Sequence, residues 1–254
     1  MSTANRNRAA RRGKSGAPLT KATNARTRGT ATDRGTVEPA REGGALVATL
    51  KRPAARNRIS AAMARDLMEL AEAVEDDDAI VALVITGAGS AFSVGFDADV
   101  DPKLVETLAA VSKPTIAIIN GDALDEGLEL ALAVDLRAAV INARFALTQL
   151  TRGALPCFGG TQRLPRLIGA AHALRMILTG VALRGSEATR LGLVTYAARD
   201  RAELARVARE LLGTLGDKGP LALRLVKDAV HKGYDMTLDQ GIRLEEDLYA
   251  LLQT

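Results

Sequence analysis

The sequence has one cysteine, Cys157, no tryptophan, and only 3% aromatic residues among its 254 positions. A single cysteine excludes an intramolecular disulfide and any metal cluster held by several cysteines. The two histidines, His172 and His231, fall in helical patterns without ligand partners nearby, so we expect neither a metal nor a redox cofactor. No apolar run approaches the ~20 residues of a membrane span, and none lies near the start as in a secretory signal, so we expect no membrane association.

Basic residues are concentrated at the N-terminal end. Residues 1–42 contain ten Lys and Arg against three acidic residues, whereas the remainder has 24 basic and 27 acidic residues. Almost no large apolar side chain is present in this segment, so we predict a disordered tail at 1–42 and one folded domain at 43–254. A transit peptide and a nucleic-acid-binding arm are the alternatives. The basic residues have no aromatic neighbours, which argues against a nucleic-acid partner.

The rest of the sequence alternates short apolar runs with helical patterns. Strands, some continuously apolar and β-branched as in strands buried between two layers, are predicted at 45–50, 80–85, 115–119 and 136–140. Helices are predicted after the N-cap Ser60, at 102–111 after Asp101, at 125–134, and over most of the chain after Gly159. This alternation predicts an α/β fold built from βαβ units.

Glu129 stands within the helix predicted at 125–134, which is apolar on all sides and should therefore be buried. An ionised carboxylate in such a helix is costly unless it is paired or functional. Two interpretations remain open from this helix alone. Glu129 is either a functional carboxylate or a first-turn charge that complements the helix dipole.

Two loops, at 90–97 and 120–127, each follow a buried strand. Backbone N–H groups at such positions lack intrahelical partners and can stabilise a developing oxyanion. If the ends of these loops face one another, they form a second element of a site. The residues alone thus predict an α/β protein with a candidate carboxylate and oxyanion site.

Several motifs stand in order along the chain: VITGAGSAFSVGFD at 84–97, PTIAIING at 114–121, ELA at 129–131 with Asp135, GGTQRLPR at 159–166 and GLV at 192–194. Together they resemble the crotonase superfamily, which contains the enoyl-CoA hydratases and isomerases. The resemblance runs from about residue 45 to 250. It implies a ββα spiral with a helical C-terminal region, assembled as a homotrimer or a dimer of trimers.

The resemblance also implies a substrate, which would be an acyl-CoA thioester, with coenzyme A as part of the substrate and no further cofactor. The single cysteine suits a reducing compartment, so we expect a cytoplasmic location, or the mitochondrial matrix if the basic N-terminal segment is a transit peptide.

By position in the motifs, the resemblance assigns roles to individual residues. The backbone N–H groups of Phe96 and Glu126 would form the oxyanion hole, and Glu129 would be the catalytic acid/base. Gln149 stands at the position of a second catalytic glutamate. Substrate-binding positions would be Ser93, Val94, Asp97, Ala98, Asp99 and Gly127. Arg52 and Arg56 are either contacts for the CoA phosphates or ordinary surface residues.

The sequence also departs from the family pattern. Gln149 can orient a water molecule but cannot exchange a proton near pH 7, and it is either such a group or a plain polar residue. Asp125 and Glu126 replace glycines. We expect Asp125 to cap the helix, whereas Glu126 is a cap, a new acid–base group, or a charge that opposes the oxyanion. The segment 99–114 is short, and the chain ends at Thr254, before the usual final helix; both changes would alter the pocket.

Two functions from different classes follow from these observations. The first is an enoyl-CoA hydratase or isomerase that stabilises a thioester enolate with two amides and uses Glu129 as acid/base. The alternative is a catalytically weak or inactive acyl-CoA-binding homologue. A third, more remote idea is that the basic tail recruits RNA.

Overall fold

Residues 34–253 are described by the computed structural model, and they contain ten strands, nine α-helices and two short 3-10 helices. Six strands form the larger sheet, and their spatial order is β1 (Thr36–Glu42), β2 (Ala45–Lys51), β3 (Ala82–Gly87), β5 (Thr115–Ile119), β7 (Leu136–Val140) and β10 (Tyr196–Ala198). β1 is antiparallel to β2, and the other neighbouring pairs are parallel. All of β5 and most of β3 are buried, which explains their continuous apolar runs.

The second sheet has the order β4 (Ala91–Ser93), β6 (Asp122–Leu124), β8 (Arg144–Ala146) and β9 (Leu183–Arg184). Each of its first three strands follows a strand of the larger sheet, so the chain passes repeatedly from one sheet to the other. Helices α2 (Lys103–Ala110) and α3 (Glu126–Leu132) follow β4 and β6. These are consecutive ββα units, and they confirm the predicted α/β class and spiral.

Seven further helices complete this part of the chain. They are α1 (Ala61–Asp76), α4 (Gly160–Ile168), α5 (Ala170–Thr179), α6 (Gly185–Arg190), α7 (Arg201–Gly216), α8 (Pro220–Tyr234) and α9 (Leu238–Leu252). Six of them lie after Gly159, as predicted for the helical C-terminal region. None of the helices within residues 34–253 is long and apolar enough to cross a membrane.

The predicted boundary between tail and domain at residue 42 is wrong, because residues 36–42 form the edge strand β1. Val37 is its only buried side chain, so the strand lacks the apolar alternation that would have revealed it. Pairing with β2 along its whole length stabilises it, and Pro39 is tolerated because the strand lies at an edge. The rest of the predicted tail, residues 1–33, lies outside the described residues.

Local signals predicted several element boundaries correctly. The Ser60 hydroxyl accepts a hydrogen bond from the N–H of Met63 at the start of α1. Thr237 and Gln240 form the reciprocal capping box predicted for α9. Before α2 the Asp101 carboxylate accepts from the N–H of Lys103 at 2.9 Å, although the helix begins at Lys103, one residue after the predicted first position. These predictions succeed because both partners lie within three residues of each other.

Asp135 attaches α8 to the larger sheet. Its carboxylate accepts from the N–H and hydroxyl of Thr115, at 2.7 and 2.9 Å, and contacts Lys227 and His231 of α8 at 2.8 Å each. Burial by itself raises the pKa of Asp135, but the hydrogen bonds and charges of His231, Lys227 and Thr115 outweigh burial and hold the pKa below its usual value. Helix α8 is therefore held to the larger sheet by a partly buried ionic contact with the motif residue Asp135.

Candidate active site

Glu129 lies in α3 and is completely buried, with 0% of its surface exposed. Its Oε1 accepts hydrogen bonds from the N–H groups of Phe158 and Gly160, both at 2.8 Å. Its Oε2 accepts from Gln149 Nε2 at 3.0 Å. One backbone donor lies in the loop before α4 and the other is the first residue of α4, so the glycine motif at 159–160 lies directly against the carboxylate. A Cβ on Gly160 would lie 2.9 Å from Glu129 Oε1, which explains why this position is glycine.

The protonation of Glu129 is set mainly by its burial. Burial raises the pKa of Glu129, and the negative charge of Glu126 raises it further. The N–H groups of Gly160, Phe158 and Cys157 favour the ionised form and oppose this rise, without cancelling it. A carboxyl group with a raised pKa can both accept and return a proton near neutral pH, as a general acid/base must.

Gln149 is nearly as buried as Glu129 and lies beside it. Its surface is 2% exposed, and its Nε2 donates to Glu129. Its Oε1 is buried and has no hydrogen-bond partner within residues 34–253. A buried acceptor without a partner costs about 1–3 kcal/mol. This cost argues against a plain polar residue at a loop end and favours a group that receives a hydrogen bond from a ligand.

The two loops predicted to face one another do so through Phe96 and Glu126. The backbone N–H of Phe96 donates to Glu126 Oε2 at 3.3 Å. The N–H of Glu126, at the first position of α3, has no hydrogen-bond acceptor within the described part of the chain. Glu126 Oε1 lies 3.5 Å from Arg152 Nη2. The side chain of Glu126 thus turns inward, towards the predicted oxyanion hole.

Asp125 does not cap α3, contrary to prediction. Its carboxylate instead accepts from the N–H and hydroxyl of Thr148, at 2.6 and 2.8 Å, and from Arg152 Nη1 at 2.8 Å. Its backbone has φ 51° and ψ −125°, a conformation that costs a residue with a side chain about 1–3 kcal/mol. Three donor groups distant in sequence therefore hold Asp125, the residue before Glu126, in a conformation that glycine adopts more easily.

Replacing Asp125 by Ala is expected to lower the free energy of unfolding by about 3 kcal/mol, because the backbone strain stays while the buried network is lost. Asp125→Gly loses the same hydrogen bonds but relieves the strain, so it should be about 1–2 kcal/mol more stable than Asp125→Ala. Urea denaturation of both variants measures the difference. Equal stabilities would contradict the strain at this position.

The predicted substrate-binding residues differ in their surroundings. Ser93 is buried at the end of β4, and a Cβ on Gly127 would lie 2.3 Å from the Ser93 carbonyl oxygen. These two residues therefore allow the two loops to approach closely. Val94 is half-buried beside them, whereas Ala98 and Asp99 are exposed. Their contacts with a substrate remain predictions.

The arginines near the site form ion pairs. Arg52 Nη1 contacts Asp97 Oδ2 at 2.6 Å, so the predicted substrate-binding carboxylate of Asp97 is paired with an arginine. Arg56 pairs with Asp122 at the start of β6. Both arginines therefore have structural partners, and their predicted contact with CoA phosphates stays a prediction.

Two contributors to the site were missed from the sequence. Phe158 donates to Glu129, and its ring packs edge-on against that of Phe96 with centroids 5.1 Å apart. Arg152 contacts both Asp125 and Glu126. The only feature of the sequence that pointed to Arg152 was its position three residues after Gln149 and next to a loop glycine.

Within residues 34–253 no group of three or more His, Cys, Asp or Glu side chains is placed to hold a metal.

Solved enoyl-CoA hydratases share this fold. Enoyl-CoA hydratase subunit I from Geobacillus kaustophilus HTA426 has a TM-score of 0.81 and 34% identity, covering 87% of this chain and 91% of that one. Enoyl-CoA hydratase from Bacillus anthracis has a TM-score of 0.80 and 31% identity, covering 87% and 92%. The fold is therefore that of the crotonase superfamily, as the motifs indicated.

Sequence comparison identifies the family within this superfamily. The model of the enoyl-CoA hydratase/isomerase family matches residues 40–254. The 2,3-dehydroadipyl-CoA hydratase of Escherichia coli (strain K12) is 37% identical over 220 residues, covering 82% of this chain and 86% of that protein. Crotonyl-CoA hydratase of Syntrophomonas wolfei is 34% identical over 218 residues, covering 80% and 84%. This chain belongs to the enoyl-CoA hydratase/isomerase family, and the predicted class of enzyme is confirmed.

Proposed function

We propose that the protein acts on enoyl-CoA thioesters, holding the thioester oxygen with the N–H groups of Phe96 and Glu126 and moving protons with Glu129. The observation that carries the proposal is the buried Glu129 carboxylate with its raised pKa, three residues after the unpaired Glu126 N–H. Coenzyme A enters as part of the substrate, and no other cofactor takes part. Two fixed amide donors stabilise an enolate without reorganising, and losing one typically costs about 3–4 kcal/mol of transition-state stabilisation.

Double-bond isomerisation requires only one proton-carrying group. The Glu129 carboxylate removes a proton from the α-carbon of a β,γ-enoyl thioester, and the electron pair moves to the thioester oxygen as a dienolate. The same carboxyl group then returns the proton to the γ-carbon, which gives the conjugated α,β-enoyl thioester. Because Glu129 is ionised at the start and at the end, the step is balanced without a second carboxylate.

Hydration places a larger demand on the site. A water molecule must lose a proton as its oxygen adds to the β-carbon, and a proton must reach the α-carbon. Glu129 can perform both transfers in sequence, while the unpaired Gln149 Oε1 accepts a hydrogen bond from the water and orients it. Gln149 cannot share the proton transfer, so we expect hydration to be slower than isomerisation.

The test measures turnover of crotonyl-CoA and of a β,γ-enoyl-CoA by the full chain. The absorbance of the conjugated thioester is the readout in both assays. Loss of absorbance with crotonyl-CoA reports hydration, and a gain with the β,γ-isomer reports isomerisation. Failure of the folded protein to bind any acyl-CoA would overturn the proposal.

A catalytically weak acyl-CoA-binding protein is the second candidate. Two observations favour it. The side chain at position 149 is an amide, and Glu126 Oε2 accepts the hydrogen bond of the Phe96 N–H. Binding of acyl-CoA without absorbance change in either assay, and without exchange of the α-proton for deuterium in heavy water, distinguishes it from the enzyme.

We further propose assembly as a homotrimer or a dimer of trimers. Helices α8 and α9 have no buried residue in the single chain. They carry exposed apolar side chains, among them Leu221, Val226, Val230, Tyr234, Leu238, Ile242 and Tyr249. Exposed apolar surface of this extent is typical of an interface. Sedimentation equilibrium of the full chain measures the assembly, and a monomer would contradict it.

A cytoplasmic location is proposed, with the mitochondrial matrix as the alternative. The alternative is supported by the basic composition of residues 1–42 and by a human relative, "Enoyl-CoA hydratase domain-containing protein 2, mitochondrial", which is 38% identical over 220 residues. Imaging of the tagged full chain in its own cells decides between the two locations.

A further inference from the structure

The Glu126 side chain occupies the place where the thioester oxygen should bind. Its Oε2 accepts the Phe96 N–H at 3.3 Å, and its side chain is only 16% exposed. This N–H is the donor that the proposed function assigns to the thioester oxygen. The carboxylate is therefore an acceptor for the same hydrogen bond that the substrate needs.

The surroundings favour this inward position. A Cβ on Gly95, whose φ is +131°, would lie 2.7 Å from Glu126 Oε2, so the absence of a side chain there leaves room for the carboxylate. Arg58, which donates to the Phe96 carbonyl oxygen at 2.7 Å, has its Nη1 3.1 Å from the same Cβ position. Arg152 Nη2 lies 3.5 Å from Glu126 Oε1. The guanidinium group of Arg152 therefore stabilises the inward negative charge of Glu126, and that of Arg58 lies near the same space at Gly95.

Two acceptors cannot share one N–H at full strength, and an ionised carboxylate also repels a developing oxyanion. We propose that the Glu126 carboxylate is an internal competitor for the oxyanion hole, which an acyl-CoA thioester must displace in order to bind. Glu126 thereby sets the affinity of the site for the thioester group. This inference rests on the proposed acyl-CoA function.

Arg152 is the group that receives the displaced carboxylate. Its side chain is 51% exposed, its Nη1 is held by Asp125 at 2.8 Å, and its Nη2 already lies 3.5 Å from Glu126 Oε1. A rotation of the Glu126 side chain towards Arg152 exchanges the Phe96 N–H for a stronger ionic contact. The competitor can therefore leave without becoming a buried, unpaired charge.

The test compares two CoA ligands that differ only in the thioester carbonyl. Butyryl-CoA has no double bond to react, and its thioether analogue has a methylene group in place of the carbonyl. For Glu126→Ala we expect butyryl-CoA to bind about 10-fold more tightly than to the wild type, which corresponds to about 1.4 kcal/mol. Affinity for the thioether should stay unchanged, because it makes no use of the oxyanion hole.

Two more variants complete the experiment. Glu126→Gln removes the charge but keeps an acceptor, so it should tighten butyryl-CoA binding by less, about 3-fold. Glu72→Gln, an exposed glutamate in α1, is the control for the change in net charge and should have no effect. If Glu126→Ala fails to fold, the comparison of Glu126→Gln with the wild type still tests the inference.

The outcomes separate the inference from the proposed function. Equal affinity of butyryl-CoA for the wild type and both Glu126 variants overturns the inference and leaves the acyl-CoA site in place. An equal gain for the thioester and the thioether also overturns it, because the gain would then come from general charge or space. Absence of binding of either ligand to any variant refutes the proposed function itself.

Discussion

Glu129→Gln is expected to lower kcat for every substrate that the wild type converts by about 10³-fold, the size of a general acid/base contribution. An amide has nearly the shape of the carboxylate but cannot accept a proton from the α-carbon or from water. The glutamine oxygen can still accept from the N–H groups of Phe158 and Gly160. Gln149 can present its unpaired Oε1 instead of its Nε2, so the buried contact between the two side chains is kept.

The same reasoning sets the controls for this variant. Affinity for a saturated acyl-CoA and the urea denaturation midpoint should change little, because the hydrogen bonds around residue 129 are preserved. The exposed Glu72→Gln should behave as the wild type in every assay. Unchanged turnover in Glu129→Gln would show that Glu129 is a structural carboxylate and that the proton transfers belong to another group.

Much of the fold was accessible from the sequence because its signals are local. β5 coincides with the predicted strand at 115–119, since a continuous β-branched run has few alternatives between two layers. The caps at Ser60 and Thr237 depend on hydrogen-bonding groups three residues away. β1 was missed because an edge strand is stabilised by backbone pairing with β2, and this pairing leaves almost no trace in side-chain pattern.

The chemistry of the site was only partly accessible, for the opposite reason. The motifs identified Glu129 and the two loops, but the groups that set their properties are distant in sequence. Phe158 and Gly160, which hold the carboxylate, lie 29 and 31 residues after it. Asp125 was interpreted as a helix cap because that rule is local, whereas its partners Thr148 and Arg152 lie 23 and 27 residues away.

Gln149→Glu is expected to raise the rate of hydration of crotonyl-CoA by about 100-fold, because it adds a second group that can exchange a proton. The present side chain already reaches the site, since its Nε2 lies 3.0 Å from Glu129 Oε2. The replacement changes the volume little and puts a carboxyl oxygen in place of Nε2, the atom that faces Glu129. The absorbance assay with crotonyl-CoA measures the gain.

Two carboxyl groups about 3 Å apart cannot both ionise at low cost, so the pair holds one proton at neutral pH. The protonated member then supplies the proton for the α-carbon while the ionised member takes one from water. The gain should therefore be confined to hydration, and isomerisation, which Glu129 performs alone, should rise little or fall. Gln162→Glu makes the same chemical change at an exposed position of α4 and should leave both rates unchanged.

The double variant Glu129→Gln, Gln149→Glu determines which carboxyl group matters. If Glu129 is the indispensable acid/base, the new carboxylate at 149 cannot replace it, and hydration stays near the level of Glu129→Gln. Recovery of hydration in the double variant would instead show that either position can serve. A Gln149→Glu variant that binds acyl-CoA and hydrates no faster would mean that proton transfer at position 149 does not limit this protein. The limit would then lie in the oxyanion hole, where the Glu126 carboxylate competes with the substrate.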